Sequence, residues 1–194
     1  MKQRIPFTAL SDRQWDALRP YAEKDHPAGR PMADLRQRMN AILFLMSTDA
    51  PWRELPPEYG PAGTVARHYR RLTHAGLWEN LLIALHDLGP RHPLQQLRRL
   101  IFRAVRRAAS LRGLRIIVLA RRLKLLEALP GPAWMVADPD LSQSLVAWQM
   151  REYQKPGRKN FGRFVQEWGR TLRNLLTLAG GRPSMARSVR LALA

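Results

Sequence analysis

The sequence predicts an all-α protein, and three observations carry that expectation. Apolar residues recur at helical spacing in almost every long segment of the 194-residue chain. Glycine and proline punctuate several of those stripes, as at Pro56-Pro57, Gly76, Gly89-Pro90 and Gly180-Gly181. No segment shows sustained apolar-polar alternation of the kind that marks a half-buried strand.

The elements follow in order. Ser11-Asp12-Arg13-Gln14 reads as a capping box, and Trp15 and Leu18 continue the helix it opens. Asp25 to Pro31 reads as a loop. Leu35, Met39, Ile42, Leu43 and Met46 form one apolar stripe. Pro51 suits a helix start, and Pro56-Pro57 stops that helix after little more than a turn. Tyr59-Gly60-Pro61-Ala62-Gly63 reads as a turn, with Thr64 expected to cap a helix running to about Ala75. Gly76 breaks it. Leu77, Trp78, Leu81, Leu82, Leu85 and Leu88 make the next stripe, closed by Gly89-Pro90. A helix is expected over 94–111, with Leu94, Leu97, Leu100, Ile101, Ala104, Val105, Ala108 and Leu111 inward. Ile116 to Leu119 has the composition of a short strand, but Leu119, Leu123 and Leu126 keep a helical period, so helix is preferred. Asp138-Pro139 reads as N-cap and first helical residue. Phe161, Phe164, Val165, Trp168, Leu172, Leu175 and Leu176 form the last stripe, ending at Gly180-Gly181.

Composition narrows the function classes. The chain has no cysteine, which removes disulfides, cysteine-ligated zinc and thiol nucleophiles. No uncharged apolar run approaches the roughly 18 residues of a membrane span, and the N-terminal residues lack a secretory pattern, so a cytoplasmic, nucleoid-associated location is expected. The net charge is +18, unevenly placed. Residues 1–90 carry +2, residues 91–133 carry +10 with Glu127 as the sole acid, and residues 134–194 carry +6. Such self-repulsion points to a polyanionic partner, nucleic acid first and an anionic membrane surface second.

Within that frame, residues 33–78 have the layout of a helix-turn-helix unit. The expected second helix places Arg67, Arg70, Arg71 and His74 on one face, with His68 among them, and Val65, Tyr69 and Leu72 on the other. A recognition helix needs this division, since one side must hold to the core while the other enters the major groove. Arginine suits the task because its planar fork binds guanine or phosphate in bidentate fashion. The competing reading is an ordinary solvated helix face.

Several segments add a resemblance. Leu10 to Trp15, Gly29-Arg30-Pro31 with Asp34-Leu35-Arg36, and Asn40 to Phe44 resemble the N-terminal domain of bacterial insertion-sequence transposases of the IS-five group. The most specific segment is Pro51-Trp52-Arg53-Glu54-Leu55-Pro56-Pro57-Glu58-Tyr59-Gly60-Pro61, continuing through Thr64-Val65, Tyr69 to Leu72 and Ala75 to Glu79. The resemblance spans about residues 9–86. Ala50, Ala62 and Leu72 stand where that family usually has cysteine, tryptophan and tryptophan. The resemblance implies double-stranded DNA as partner. Arg67, His68, Arg70, Arg71 and His74 are then expected at the major groove, and Thr64 at a phosphate. Arg53 and Arg30 are expected on flanking backbone or minor groove. Gly29-Arg30-Pro31 is also similar to the core of a minor-groove hook, against the plainer reading of a loop.

The family's catalytic domain would need an Asp-Asp-Glu set holding two metal ions. After residue 90 the only side-chain carboxylates are Glu127, Asp138, Asp140, Glu152 and Glu167, and no sheet pattern accompanies them. The expectation is therefore a binding protein without enzymatic activity, cofactor or metal. Its Arg98, Arg99, Arg103, Arg106 and Arg107 are expected to add sequence-independent affinity for DNA. Residues 134–194 offer a surface for RNA polymerase or another protein. The best functional expectation is a transcriptional regulator derived from a transposase. The alternatives are a truncated or frameshifted transposase, and a factor that binds RNA or RNA polymerase.

Overall fold

The computed structural model describes residues 5–23, 34–153 and 161–181. Arg30 and the Gly29-Arg30-Pro31 segment lie outside the described residues. Among those that are described the regular structure is helical, and no strand occurs. The helices are α1 (Asp12–Ala22), α2 (Leu35–Thr48), α3 (Ala62–His74), α4 (Leu77–Asp87), α5 (Pro93–Gln96), α6 (Arg98–Arg112), α7 (Leu114–Arg122), α8 (Pro139–Tyr153) and α9 (Phe161–Ala179). Single 3-10 turns occur at Trp52–Glu54, Pro57–Tyr59, Leu126–Ala128 and Ala133–Met135. Among the described residues no helix is long and apolar enough to cross a membrane.

The helix ends follow the local chemistry. At α1, Ser11 Oγ accepts from the Gln14 backbone N–H, and Gln14 Oε1 accepts from the Ser11 N–H, which completes the capping box. At α2, Asp34 accepts from the Gln37 N–H at 2.7 Å. Asp138 does the same for Leu141 at 3.1 Å, so α8 begins at Pro139 as expected. Gly76 and Gly113 hold φ of 84° and 57°, where a side chain would be strained, and each separates two helices. Thr64 does not cap α3. The helix begins two residues earlier, after Pro61, because proline's fixed φ carries the chain straight into the first turn. The segment expected as one helix over 94–111 is interrupted at Leu97, which closes α5 and opens α6.

The chain forms two compact units, Met1–Pro130 and Gly131–Ala194. Helices α1 to α7 all lie in the first of these units. Helix α6 is the centre of the first unit and packs against α2, α3, α4, α5 and α7. Ile101, Phe102, Ala104, Val105 and Ala108 are all buried there. This placement explains α2, which is buried well beyond its predicted stripe. Ala41, Leu45 and Ser47 are covered as well as Met39, Ile42, Leu43 and Met46, since α3 and α6 both pack on it. Each large side chain buried in this way contributes about 1.5–3 kcal/mol.

An aromatic and hydrogen-bonded seam ties α3 to this centre. The Tyr69 ring lies between Trp52 and Trp78, with centroids 5.1 and 5.5 Å away. Its hydroxyl donates to the Ala104 carbonyl of α6 at 2.8 Å. Trp78 Nε1 donates to Thr73 Oγ1, which in turn donates to the Tyr69 carbonyl. Trp52, the most distinctive residue of the Pro-Trp-Arg segment, is thus a packing residue for α3.

In the second unit α8 and α9 pack on one another. Val136, Leu172 and Ala179 are buried, and the Asp138 N–H donates to the Ala179 carbonyl at 2.6 Å. Gly181, at φ 71°, lies so close to the Ala137 backbone that a Cβ there would collide with it.

Candidate nucleic-acid interface

Helix α3 has the two-sided character that a groove-reading helix needs. Val65, Tyr69, Leu72 and Thr73 are buried, while Thr64, Arg67, Arg70, Arg71 and His74 are exposed. The cause is local. Residues 65, 69, 72 and 73 fall on the side that meets α2, α4 and α6, and the hydroxyl of Tyr69 pins that side at its middle. Arg53 is exposed on the 3-10 turn Trp52–Glu54. The connection between α2 and α3 covers residues 49–61 and includes two 3-10 turns. It is longer than the three or four residues of a minimal helix-turn-helix.

His68 departs from its expected place. It is only 6% exposed, on the inner flank of α3. Its Nδ1 lies 2.9 Å from the Arg71 guanidinium. Arginine can only donate, so Nδ1 accepts and the ring proton of the neutral form sits on Nε2. Nε2 is buried without a partner. Burial, and then the charges of Arg71 and Arg38, push the His68 pKa down to about 4. The imidazole is therefore neutral at physiological pH and supports Arg71 from behind instead of facing outward. The helical period put residue 68 beside the basic face, and the covering of that flank by neighbouring elements decided otherwise. Arg38, whose charge reaches His68, was not singled out by the sequence.

The arginines of α6 are also less available than expected. Arg103 Nη1 donates to the carbonyls of Met46 and Ser47 at 3.0 and 2.6 Å, near the C-terminal end of α2. Arg107 donates to the Ala50 carbonyl at 2.8 Å and lies over the Trp52 ring. Arg106 binds the Glu127 carbonyl through Nε and Nη2. Arg98 is half-buried, with its guanidinium over Phe102. Arg99 is exposed. Much of the +10 segment thus stitches the first unit together. Carbonyls at helix ends lack intrahelical donors, and guanidinium groups supply them.

No group of three or more His, Asp or Glu side chains among the described residues is arranged to hold a metal ion. The sequence also missed one buried charge pair. Glu79, 6% exposed, accepts from Arg112 Nε at 2.6 Å.

The described residues form an all-α fold in which α3 is apolar on its inner side and arginine-rich on its outer side. Residues 10–82 match the family described as "Putative transposase of IS4/5 family", and the match lies wholly within the N-terminal unit. It begins at the end of the segment preceding α1 and stops inside α4. No curated protein and no solved structure matches the chain.

Proposed function

We propose that the chain binds double-stranded DNA in a sequence-dependent manner through α3 and acts as a transcriptional regulator derived from a transposase. The observation that supports this most is the outward face of α3, where Arg67, Arg70, Arg71 and His74 stand exposed over a buried seam. In this reading Arg70 and Arg71 reach base edges, and Arg67 and His74 contact backbone or bases beside them. Thr64 and Arg53 hold flanking phosphates. His68 leaves the set of contacts and becomes the support of Arg71.

A truncated or frameshifted transposase is the second reading, favoured by a family match confined to residues 10–82. The packing of α6 favours the first. An out-of-frame peptide has no reason to bury Ile101, Phe102, Val105 and Ala108 beneath α2, α3 and α4. Terminal inverted repeats and an Asp-Asp-Glu reading frame in the neighbouring DNA would decide for the second.

Genome-wide mapping of bound sites tests the proposal, followed by salt titration on an enriched site. With about six phosphates engaged, log K should fall against log salt with a slope near −5. Arg70→Gln with Arg71→Gln should erase the preference for that site over random duplex, at about 1–3 kcal/mol for each lost base contact. An unchanged preference would remove α3 from the reading.

A further inference from the structure

Four arginines of α6 surround one concave surface. Arg99, Arg103, Arg106 and Arg107 line a cleft of about 1010 Å³, with Phe102 among its apolar lining. That volume is at the upper end of small-ligand sites, roughly 300–1,000 Å³. The positions share one side of the helix by their spacing. Two acidic side chains, Asp49 and Glu127, also line the cleft, so four cations face two anions. The excess is felt at Arg103. Burial lowers its pKa first, and Arg106 and Arg99 lower it further against an opposing pull from Asp49.

Structural roles account for part of this cluster. Arg103 and Arg107 are tied to carbonyls at the end of α2 and in the turn after it. They do not account for Arg99, which makes no hydrogen bond or ion pair among the described residues. Nor do they account for Nη1 of Arg106, whose Nε and Nη2 are the atoms on Glu127. Anchoring one edge of the Arg106 guanidinium fixes its plane in advance, which lowers the ordering cost of binding at the other edge. A planar fork with two adjacent donors matches the oxygens of a phosphate or a carboxylate in bidentate fashion, and the four arginines here favour the more highly charged phosphate.

We infer that the α6 cleft is a second anion site, distinct from α3, in which Arg99 and Arg106 take a phosphoryl group. The phosphoryl group belongs either to a nucleic-acid backbone or to a small phosphorylated molecule such as a nucleotide. Arg103, held between the two contacts, supplies positive field without having to move.

The test uses the full chain at constant ionic strength, titrated calorimetrically with inorganic pyrophosphate, ATP and a short DNA duplex. The variants are Arg99→Gln, the double variant R99Q/R106Q, and R67Q/R70Q on α3. Pyrophosphate and ATP binding that weakens at least about tenfold in both α6 variants, but not in R67Q/R70Q, supports the site with a small-molecule source. A comparable loss seen with duplex alone supports it with the backbone as source. Wild-type affinity of R99Q for all three ligands overturns the site, as does failure of the wild-type chain to bind any of them. Should R99Q/R106Q lose its fold with the Glu127 anchor, R99Q alone decides the outcome, because Arg99 anchors nothing. The cleft does not rest on the α3 reading, which stands or falls separately on the Arg70 and Arg71 substitutions.

Discussion

Arg112→Met should destabilise the first unit by about 3–5 kcal/mol, the usual cost of leaving a buried charge without its partner. Glu79 is 6% exposed near the start of α4, and its Oε1 accepts from Arg112 Nε at 2.6 Å. Its second oxygen is buried without a hydrogen bond. Arg115, 4.0 Å away with a mostly exposed side chain, is too distant and too well solvated to replace Arg112. The pair joins α4 to the end of α6, so its loss loosens the helix around which the unit is built. A control separates charge from packing. Glu79→Met combined with Arg112→Met removes both ions, and stability should return to within about 1–2 kcal/mol of the parent or exceed it. Urea unfolding of the parent, both single variants and the double variant measures the coupling. Additive losses would mean that the two side chains do not interact.

The second large effect is expected on acidification. His68 titrates near 4 in the fold and near 6.5 when the chain is unfolded. Between those values the unfolded chain binds the extra proton, so the neutral imidazole stabilises the fold fully above pH 6.5. That stability declines as the pH falls toward 4. The slope approaches about 1.4 kcal/mol per pH unit, and the total reaches about 3 kcal/mol. The causes are burial, then the Arg71 and Arg38 charges, all of which penalise a second cation at this place. His68→Phe removes the titrating group. Between pH 7 and pH 5 the parent should lose about 2 kcal/mol more than this variant in denaturant titrations. Parallel pH profiles would show that His68 is not held neutral. The same variant deletes the acceptor for Arg71, so Arg71 should become more mobile in side-chain NMR even at pH 7.

These expectations differ in how far they were legible in the sequence. The capping box at Ser11, the Asp138-Pro139 start of α8 and the break at Gly76 follow from backbone chemistry within a few residues, and each is present. The inward set of α3 was equally legible, because Val65, Tyr69 and Leu72 follow the 3.6-residue period. The resemblance over residues 9–86 was legible for another reason. The Pro-Trp-Arg-Glu-Leu-Pro-Pro segment is long and ordered, and the family match at 10–82 agrees with the span of the resemblance, about 9–86, to within a few residues. Thr64 shows the limit of local rules. A residue that caps well was present, but Pro61 had already set the first turn.

The differences between the expected and observed surroundings of these charges have a common origin. Periodicity places a side chain on a face, but it does not say which neighbour covers that face. His68 lies on a polar flank by sequence and is buried in the fold. Arg103 and Arg107 read as a free basic stripe, yet their donors are met by carbonyls from residues 46, 47 and 50, more than fifty positions away. Glu79 lies in the first turn of α4, and its buried pairing with Arg112, 33 positions away, has no local signal in the sequence.

By itself, the sequence determined the helical class, most of the helix boundaries, the two-sided character of α3 and the family resemblance of the N-terminal region. All of these depend on the order of residues along a few turns of chain, where the backbone period and cap chemistry act. Only the tertiary structure decided that α6 is the centre of the first unit, that Arg103, Arg106 and Arg107 bind the protein's own carbonyls, and that His68 stands behind Arg71. Those outcomes depend on which distant groups are brought within hydrogen-bonding reach of one another and which lose water as a result. A charge or a ring nitrogen changes its role with that environment, while its place along the helix stays the same.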